Sequence, residues 1–190
     1  MPDPSPTSSS PLDALLRLIP LARLPRTGWI QHGVPEPESV AAHTTGVGLV
    51  VLALAPRVEP PLDVGRALAL ALVHDAPEAL TGDLPRPGSR LLPAGAKRSA
   101  ERAAADLLLG PLSDAAREAY DELEALETRE ARLVKLCDQL QLGVQLLAYL
   151  RAGSRGLDDF VEVVETLDCS EFPPAAELRR ELLEALSKLA

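Results

Sequence analysis

The run VGRALALALVHDA, from Val64 to Ala76, constrains this chain more than any other segment. It is apolar on nearly all sides, so other elements must surround it, and it reads as a central buried helix. Asp63 stands before it as an N-cap, able to accept a free backbone N–H of the first turn. The helix has to kink or end close to His74 and Asp75. Pro77 has no N–H to donate, and its ring clashes with the carbonyl four residues back. An imidazole and a carboxylate are thereby delivered to the end of a buried helix. A carboxylate removed from water needs a hydrogen-bond donor, a counter-ion or a metal. Taken alone, the pair fits a local structural network as well as it fits a ligand set.

The rest of the chain supplies more helices to surround that one. Leu and Ala dominate while aromatic residues are only 3% of the total, a composition that predicts an all-α fold with few or no strands. With 190 residues, 46% of them apolar, one core suffices, and a single domain is expected over 12–190. Residues 1–11 are Pro/Ser-rich, lack a secretory signal and read as a mobile tail. A short amphipathic helix is expected over Leu12–Leu24, limited by Pro20 and Pro25. An irregular stretch follows over Arg26–Glu38, and then a helix from the cap Ser39 to about Ala55. The Gly- and Pro-rich segment Thr81–Gly95 has the composition of a functional or mobile loop. Helical patterns return over Ala96–Leu109, Ser113–Leu126, a long helix capped by Thr128, Asp158–Leu167 and Pro174–Leu189. In the long helix Leu133, Cys137, Leu140, Val144 and Leu147 mark a buried stripe.

Charge and cysteine content narrow the partners. A net charge of −9 excludes a nucleic-acid polymer, which is recognised by clustered Lys and Arg. A small phosphate stays open, because a bound cation and one or two Arg can invert the field locally. The two cysteines, Cys137 and Cys169, form no C-x-x-C pair, so neither a disulfide framework nor a thiolate zinc site is supported, and the chain reads as cytoplasmic. The longest apolar stretches are interrupted before bilayer length, and no membrane partner is expected.

Two further residues share the chemistry of His74 and Asp75. Asp138 lies beside the apolar stripe of the long helix, although an ion pair with Lys135 at i−3 would explain it equally simply. His43 has Val40 and Val47 on its own helical face, where a lone histidine is more often a core residue than a ligand. Together, two imidazoles and two carboxylates from three helices make a mixed N/O set suited to Mn²⁺, Co²⁺, Fe²⁺ or Zn²⁺.

Three runs carry a resemblance: ESVAAH from Glu38 to His43, HDAPEALTGD from His74 to Asp83, and T-x-E-A-R-x-V-K-x-x-D from Thr128 to Asp138. In order and spacing, from about Leu12 to Tyr149, the chain resembles the HD-domain 5′-deoxynucleotidases, the YfbR-like group. The resemblance implies an all-α HD-domain helical bundle, often a homodimer, that hydrolyses nucleoside 5′-monophosphates. It implies one divalent metal per chain, Mn²⁺ or Co²⁺ ahead of Zn²⁺, Fe²⁺ or Mg²⁺, held by His43, His74, Asp75 and Asp138. It further implies that Glu78 orients or deprotonates the attacking water and that Asp83 faces the substrate. Arg26 would bind phosphate, and Trp29 would line the nucleoside pocket unless it is simply packed over the core.

The chain also departs from that pattern. Ala42 precedes His43 where similar proteins commonly carry an acidic residue, which removes one support for the histidine. The stretch Leu84–Pro93 is unusually Pro-rich, which leaves deoxyribose against ribose preference open, and His32 matches no signature and reads as a surface-loop residue. Two alternatives stand beside the monophosphate reading. One is an HD-type nucleoside triphosphate triphosphohydrolase, disfavoured by the few Lys or Arg expected near the pocket. The other is a non-catalytic helical interaction module stapled by metal, against which Glu78 speaks, since a structural site needs no base.

Overall fold

In the computed structural model, residues 10–189 are described. The expected tail over 1–11 lies outside them up to residue 9, and its last two residues are the cap and the first residue of a helix. Ser10 caps α1 (Pro11–Leu18) through a reciprocal pair of bonds with Asp13, in which each side chain accepts from the other's backbone N–H. A 3₁₀ turn completes this element at Ala22. The segment expected to be irregular contains a short helix, α2 (Thr27–Gln31). Its ends are pinned together where Arg26 N–H donates to the Glu38 carbonyl and Val40 N–H to the Leu24 carbonyl.

Three helices begin where the sequence places their caps. Ser39 starts α3 (Val40–Leu54), Asp63 starts α4 (Val64–Val73) and Thr128 starts α9 (Arg129–Arg151), each side chain accepting from a backbone N–H three residues on. The chain breaks at residues 74–77, as Pro77 requires, and resumes in α5 (Glu78–Thr81). The Pro-rich loop holds one turn of helix, α6 (Arg86–Ser89). Then come α7 (Ala96–Leu108), α8 (Asp114–Ala125), α10 (Asp158–Glu165) and α11 (Pro173–Leu186). No strand occurs among the described residues, and the fold is an all-α helical bundle.

The centre of the bundle is α9, and not α4 as its apolar run suggests. α9 packs against α3, α4, α8, α10 and α11. α4 meets α3, α8 and α9 but leaves Leu72 71% exposed, because a ten-residue Ala/Leu helix against three neighbours has more apolar surface than they cover. The stripe of α9 holds at Leu133, Cys137 and Leu140 and fails at Val144, which faces solvent; the buried positions shift to Gln141, Gly143 and Leu146. α10 and α11 explain the shift. Val164 and Leu182 come so close to Gly143 that a side chain there would collide with them.

The stretch Val40–Arg57 is, by length and composition alone, apolar enough to cross a bilayer, contrary to the expectation that charges and prolines interrupt every such stretch. Here it is the core partner of α4 and α9, with Val40, His43, Val47 and Val51 fully buried.

Candidate metal centre and adjoining cavity

His43 comes from the first turn of α3, His74 and Asp75 from the break after α4, and Asp138 from the middle of α9. Because α3, α4 and α9 pack against one another, residues distant in sequence meet at one point. One ligand atom each from His43, His74 and Asp75 falls within 4.8 Å of the others. The two Nε2 atoms are 3.3 Å apart, and Asp75 Oδ2 lies 3.1 Å from His74 Nε2 and 3.6 Å from His43 Nε2. Asp138 adjoins this trio through Oδ1, 3.1 Å from His43 Nε2. Its Oδ2 meanwhile accepts from Lys135 at 3.0 Å, so the ion pair and the approach to the cluster coexist, one on each oxygen.

Hydrogen bonding on the far side of each ring determines what faces inward. His74 Nδ1 lies 2.7 Å from the Ala71 carbonyl, which can only accept, so Nδ1 carries a proton and Nε2 is the atom that faces the cluster. His43 Nδ1 lies 2.5 Å from Gln141 Oε1. The Gln141 amide is oriented because its Nε2 donates to Glu38 Oε2, again a group that only accepts. The His43 proton therefore also sits on Nδ1. Two Nε2 atoms and two carboxylate oxygens thus face one another, a mixed N/O donor set of the kind that divalent transition metals accept.

The charges around the cluster respond to it. Burial works against ionising Asp75, but His74 and Arg26 outweigh it and hold the carboxyl well below the usual range. Burial is likewise outweighed at Asp138 by Lys135, His43 and His74. At His74 burial opposes the charged form, and Asp75 overcomes it, so the imidazole is shifted upward. Glu78 goes the other way. Burial, with Asp75 and Asp83 nearby, pushes its carboxyl up to about 9, and its Oε2 is buried without a hydrogen-bond partner.

Arg26, immediately before α2, reaches across to Asp75 with Nη1 2.8 Å from Oδ2. Burial disfavours its charge, yet Asp75, Asp83, Asp138 and Glu78 together keep the guanidinium firmly protonated. Asp83 holds α2 in place: its Oδ2 accepts from Thr27 N–H at 2.5 Å, and Thr27 Oγ1 donates to its carbonyl at 2.8 Å. Trp29 is 2% exposed, donates from Nε1 to Glu38 Oε1 at 3.1 Å and belongs to a small second core with Val34, Leu146, Leu157 and Leu186. Its ring stacks at 4.1 Å on Phe160, which sequence reasoning missed. His32 is no free loop residue: it packs edge-on against Phe160 at 4.8 Å, and its Nδ1 meets the Gly28 carbonyl.

A cavity of about 770 Å³, within the usual range for small-molecule sites, adjoins the cluster. Arg26, Trp29, Glu78, Asp83, Asp138 and Phe160 are among the residues that line it. Arg86, Arg90, Lys97 and Lys135 line it as well. The expectation of few cations is thus overturned, because α6 and the start of α7 fold over the site and bring theirs with them.

A family model described as HD domain matches residues 20–168. The chain is 30% identical over 157 residues to a 5′-deoxynucleotidase of Schizosaccharomyces pombe, covering 78% of this chain and 76% of that one. It is 34% identical over 146 residues to a mouse 5′-deoxynucleotidase, covering 75% and 71%. A crystal structure of a Pyrococcus horikoshii protein superposes with a TM-score of 0.77 at 30% identity, over 94% of this chain and 99% of that one.

Proposed function

The chain belongs to the HD-domain family of metal-dependent phosphohydrolases, and from that premise we propose that it releases phosphate from (deoxy)nucleoside 5′-monophosphates with one divalent metal held by His43, His74, Asp75 and Asp138. The carrying observation is the convergence of His43, His74 and Asp75, with Asp138 adjoining, while the Nδ1 of each histidine is taken up by an oxygen outside the cluster and its Nε2 turned inward. The mouse and yeast relatives are named 5′-deoxynucleotidases, which supports the substrate class. The donor set of two imidazoles and two carboxylates suits Mn²⁺, Co²⁺, Fe²⁺ and Zn²⁺ alike, and the resemblance to the HD-domain 5′-deoxynucleotidases puts Mn²⁺ and Co²⁺ ahead of these and of Mg²⁺.

When bound, the cation supplies Lewis acidity and offsets phosphoryl charge. The protein's own groups do the rest. Arg26 presents a planar fork to the phosphoryl oxygens, turning from Asp75 toward them, and α2 is kept in register for this by Asp83. Burial, with the charge of Asp75 and Asp83, keeps the proton on Glu78 until that charge is offset by a bound cation. So ionised, Glu78 takes the proton of the attacking water as its oxygen bonds to phosphorus, and passes it to the 5′ oxygen of the nucleoside as the P–O bond breaks. Phe160, backed by Trp29, offers an aromatic wall to the base. Asp83 is in this reading a positioning residue that borders the substrate.

Arg26→Lys keeps the charge but loses the two-pronged geometry, so kcat/KM should fall roughly tenfold or more, and Arg26→Ala should fall further. Unchanged kcat/KM in both variants would remove Arg26 from the reaction.

A triphosphohydrolase is the second reading, supported by the cations around the cavity. Arg86 and Arg90 have no carboxylate within 4.0 Å among the described residues. Membership of a hydrolase family sets the non-catalytic module aside. A phosphate-release screen against ribo- and deoxyribonucleoside mono-, di- and triphosphates, with each metal supplied separately, decides. Inorganic phosphate from monophosphates supports the proposal, whereas triphosphate from nucleoside triphosphates alone replaces it.

The same reading places residues 12–190 in one HD domain working in the cytoplasm, where the buried, unpaired Cys137 and Cys169 would stay reduced. It includes a homodimer, supported by Leu12, Leu15, Leu16 and Ile19, which line one face of α1 and its extension and are all more than half exposed. Light scattering tests this, and a monomer at working concentration would end it.

A further inference from the structure

Gln141 reaches the metal cluster only through another side chain, yet the structure is built around it. Its amide bridges two buried groups, Glu38 on one side at 3.0 Å and His43 on the other at 2.5 Å. Glu38 is fixed in turn. Its Oε1 accepts from Trp29, its backbone N–H donates to Tyr149 Oη at 2.7 Å, and its carbonyl accepts from Arg26. A carboxylate has no proton to give, so it dictates which end of the Gln141 amide faces it, and the carbonyl end is left for His43. α3 also makes room for the amide. A Cβ on Gly46 would stand 2.8 Å from both Cγ and Nε2 of Gln141, closer than real Cβ atoms approach a neighbour. A glycine in the interior of a helix costs stability relative to alanine, and here it clears the path of one side chain.

We propose that Gln141, oriented by Glu38 and admitted by Gly46, is the positioning residue that sets the tautomer and aim of His43, and through it the affinity of the metal centre. This rests on the reading of His43 as a metal ligand. It accounts for the tolerance of Ala42: support that an acidic side chain before His43 would give from its own helix comes instead from α9. The outer partner of a metal-bound imidazole fixes the ring and raises its basicity, and losing it costs about 10- to 100-fold in metal affinity.

Two measurements on purified full-length protein test the proposal. The first is Co²⁺ titration of the metal-free protein; the second is the ¹⁵N spectrum of its imidazoles, which with three histidines in the chain can be assigned by substitution. Wild type should show His43 with the proton on Nδ1. Gln141→Ala should bind Co²⁺ about 10- to 100-fold more weakly and lose that single tautomer. Gly46→Ala, which displaces Gln141 without touching a ligand, should weaken Co²⁺ in the same direction. The double variant should bind no worse than Gln141→Ala alone, because the added methyl then meets no amide. Should Gln141→Ala not fold, Gly46→Ala carries the same two readouts.

Wild-type Co²⁺ affinity and an unchanged His43 tautomer in Gln141→Ala, or in Gly46→Ala where that variant stands in, would overturn the proposal. Failure of wild type itself to bind Co²⁺ would instead overturn the metal reading, and the tautomer spectrum would still decide whether Gln141 sets the ring.

Discussion

Glu78→Gln should abolish nearly all phosphate release, by about 10²- to 10⁴-fold in kcat, while the protein keeps its helical content and its metal. The expectation follows from where the carboxyl sits. It is the first residue after the Pro77 break, buried beside the cluster and lining the cavity, with one oxygen lacking any partner in the protein. A glutamine of the same shape fills that position but cannot take a proton from water. The substitution should also change how the metal-free protein responds to pH. Folding raises this carboxyl from an ordinary 4.5 to about 9, so the folded state holds the proton more tightly than the unfolded chain does. The stability associated with that proton is complete below about 4.5 and lost as pH rises through about 9. Glutamine has no such slope. The Tm of Glu78→Gln should therefore exceed that of wild type by more at pH 8 than at pH 5. Loss of metal in step with activity would make Glu78 a ligand or a support. Good activity with metal retained would pass the proton to another group, and Asp83 is poorly placed for that, since its Oδ2 is held by Thr27.

The features legible in the sequence share a physical character: they are local. Ser39, Asp63 and Thr128 cap helices because a short polar side chain and the backbone three residues on decide the matter between them. Pro77 breaks its helix by the same kind of rule. What was not legible depends on neighbours far along the chain. α2 forms because Asp83, 56 residues later, receives the N–H of Thr27, and nothing between Arg26 and Glu38 announces it. Phe160 joins the aromatic wall only because α10 packs on α9. Gln141 reads as a polar residue on a long helix, and a signal for it did exist in Gly46, a glycine inside a helix opposite it. The candidate metal set came from pattern: three runs supplied four ligand candidates, of which the fold brings ligand atoms of His43, His74 and Asp75 within 4.8 Å of one another. Composition alone misjudged the cations, since net charge carries no information about which side of a −9 chain the Arg and Lys of residues 86–97 will face.

Asp138→Asn is the sharpest test of the four-ligand assignment, because Asp138 is the member that touches the cluster through one contact, His43 at 3.1 Å. Asparagine keeps the size and one acceptor oxygen, but its amide can turn an N–H toward the lone pair on His43 Nε2. That hydrogen bond closes the gap that a cation would otherwise fill, so the substitution removes a ligand and supplies a competitor. Metal affinity should fall by more than about 100-fold, beyond the loss expected for an outer partner such as Gln141. Phosphate release should fall with it at limiting metal and recover in part as metal is raised. Folding should suffer in the metal-free state at neutral pH, because against burial Lys135, His43 and His74 hold the Asp138 carboxyl ionised, and a neutral amide forfeits that stabilisation. The loss of Tm should shrink as pH falls through the acid range, where the wild-type carboxyl is protonated too, and the gain in Tm on adding metal should be smaller than in wild type. Full metal content by elemental analysis together with wild-type kcat/KM would show that His43, His74 and Asp75 suffice, and that Asp138 serves Lys135 alone.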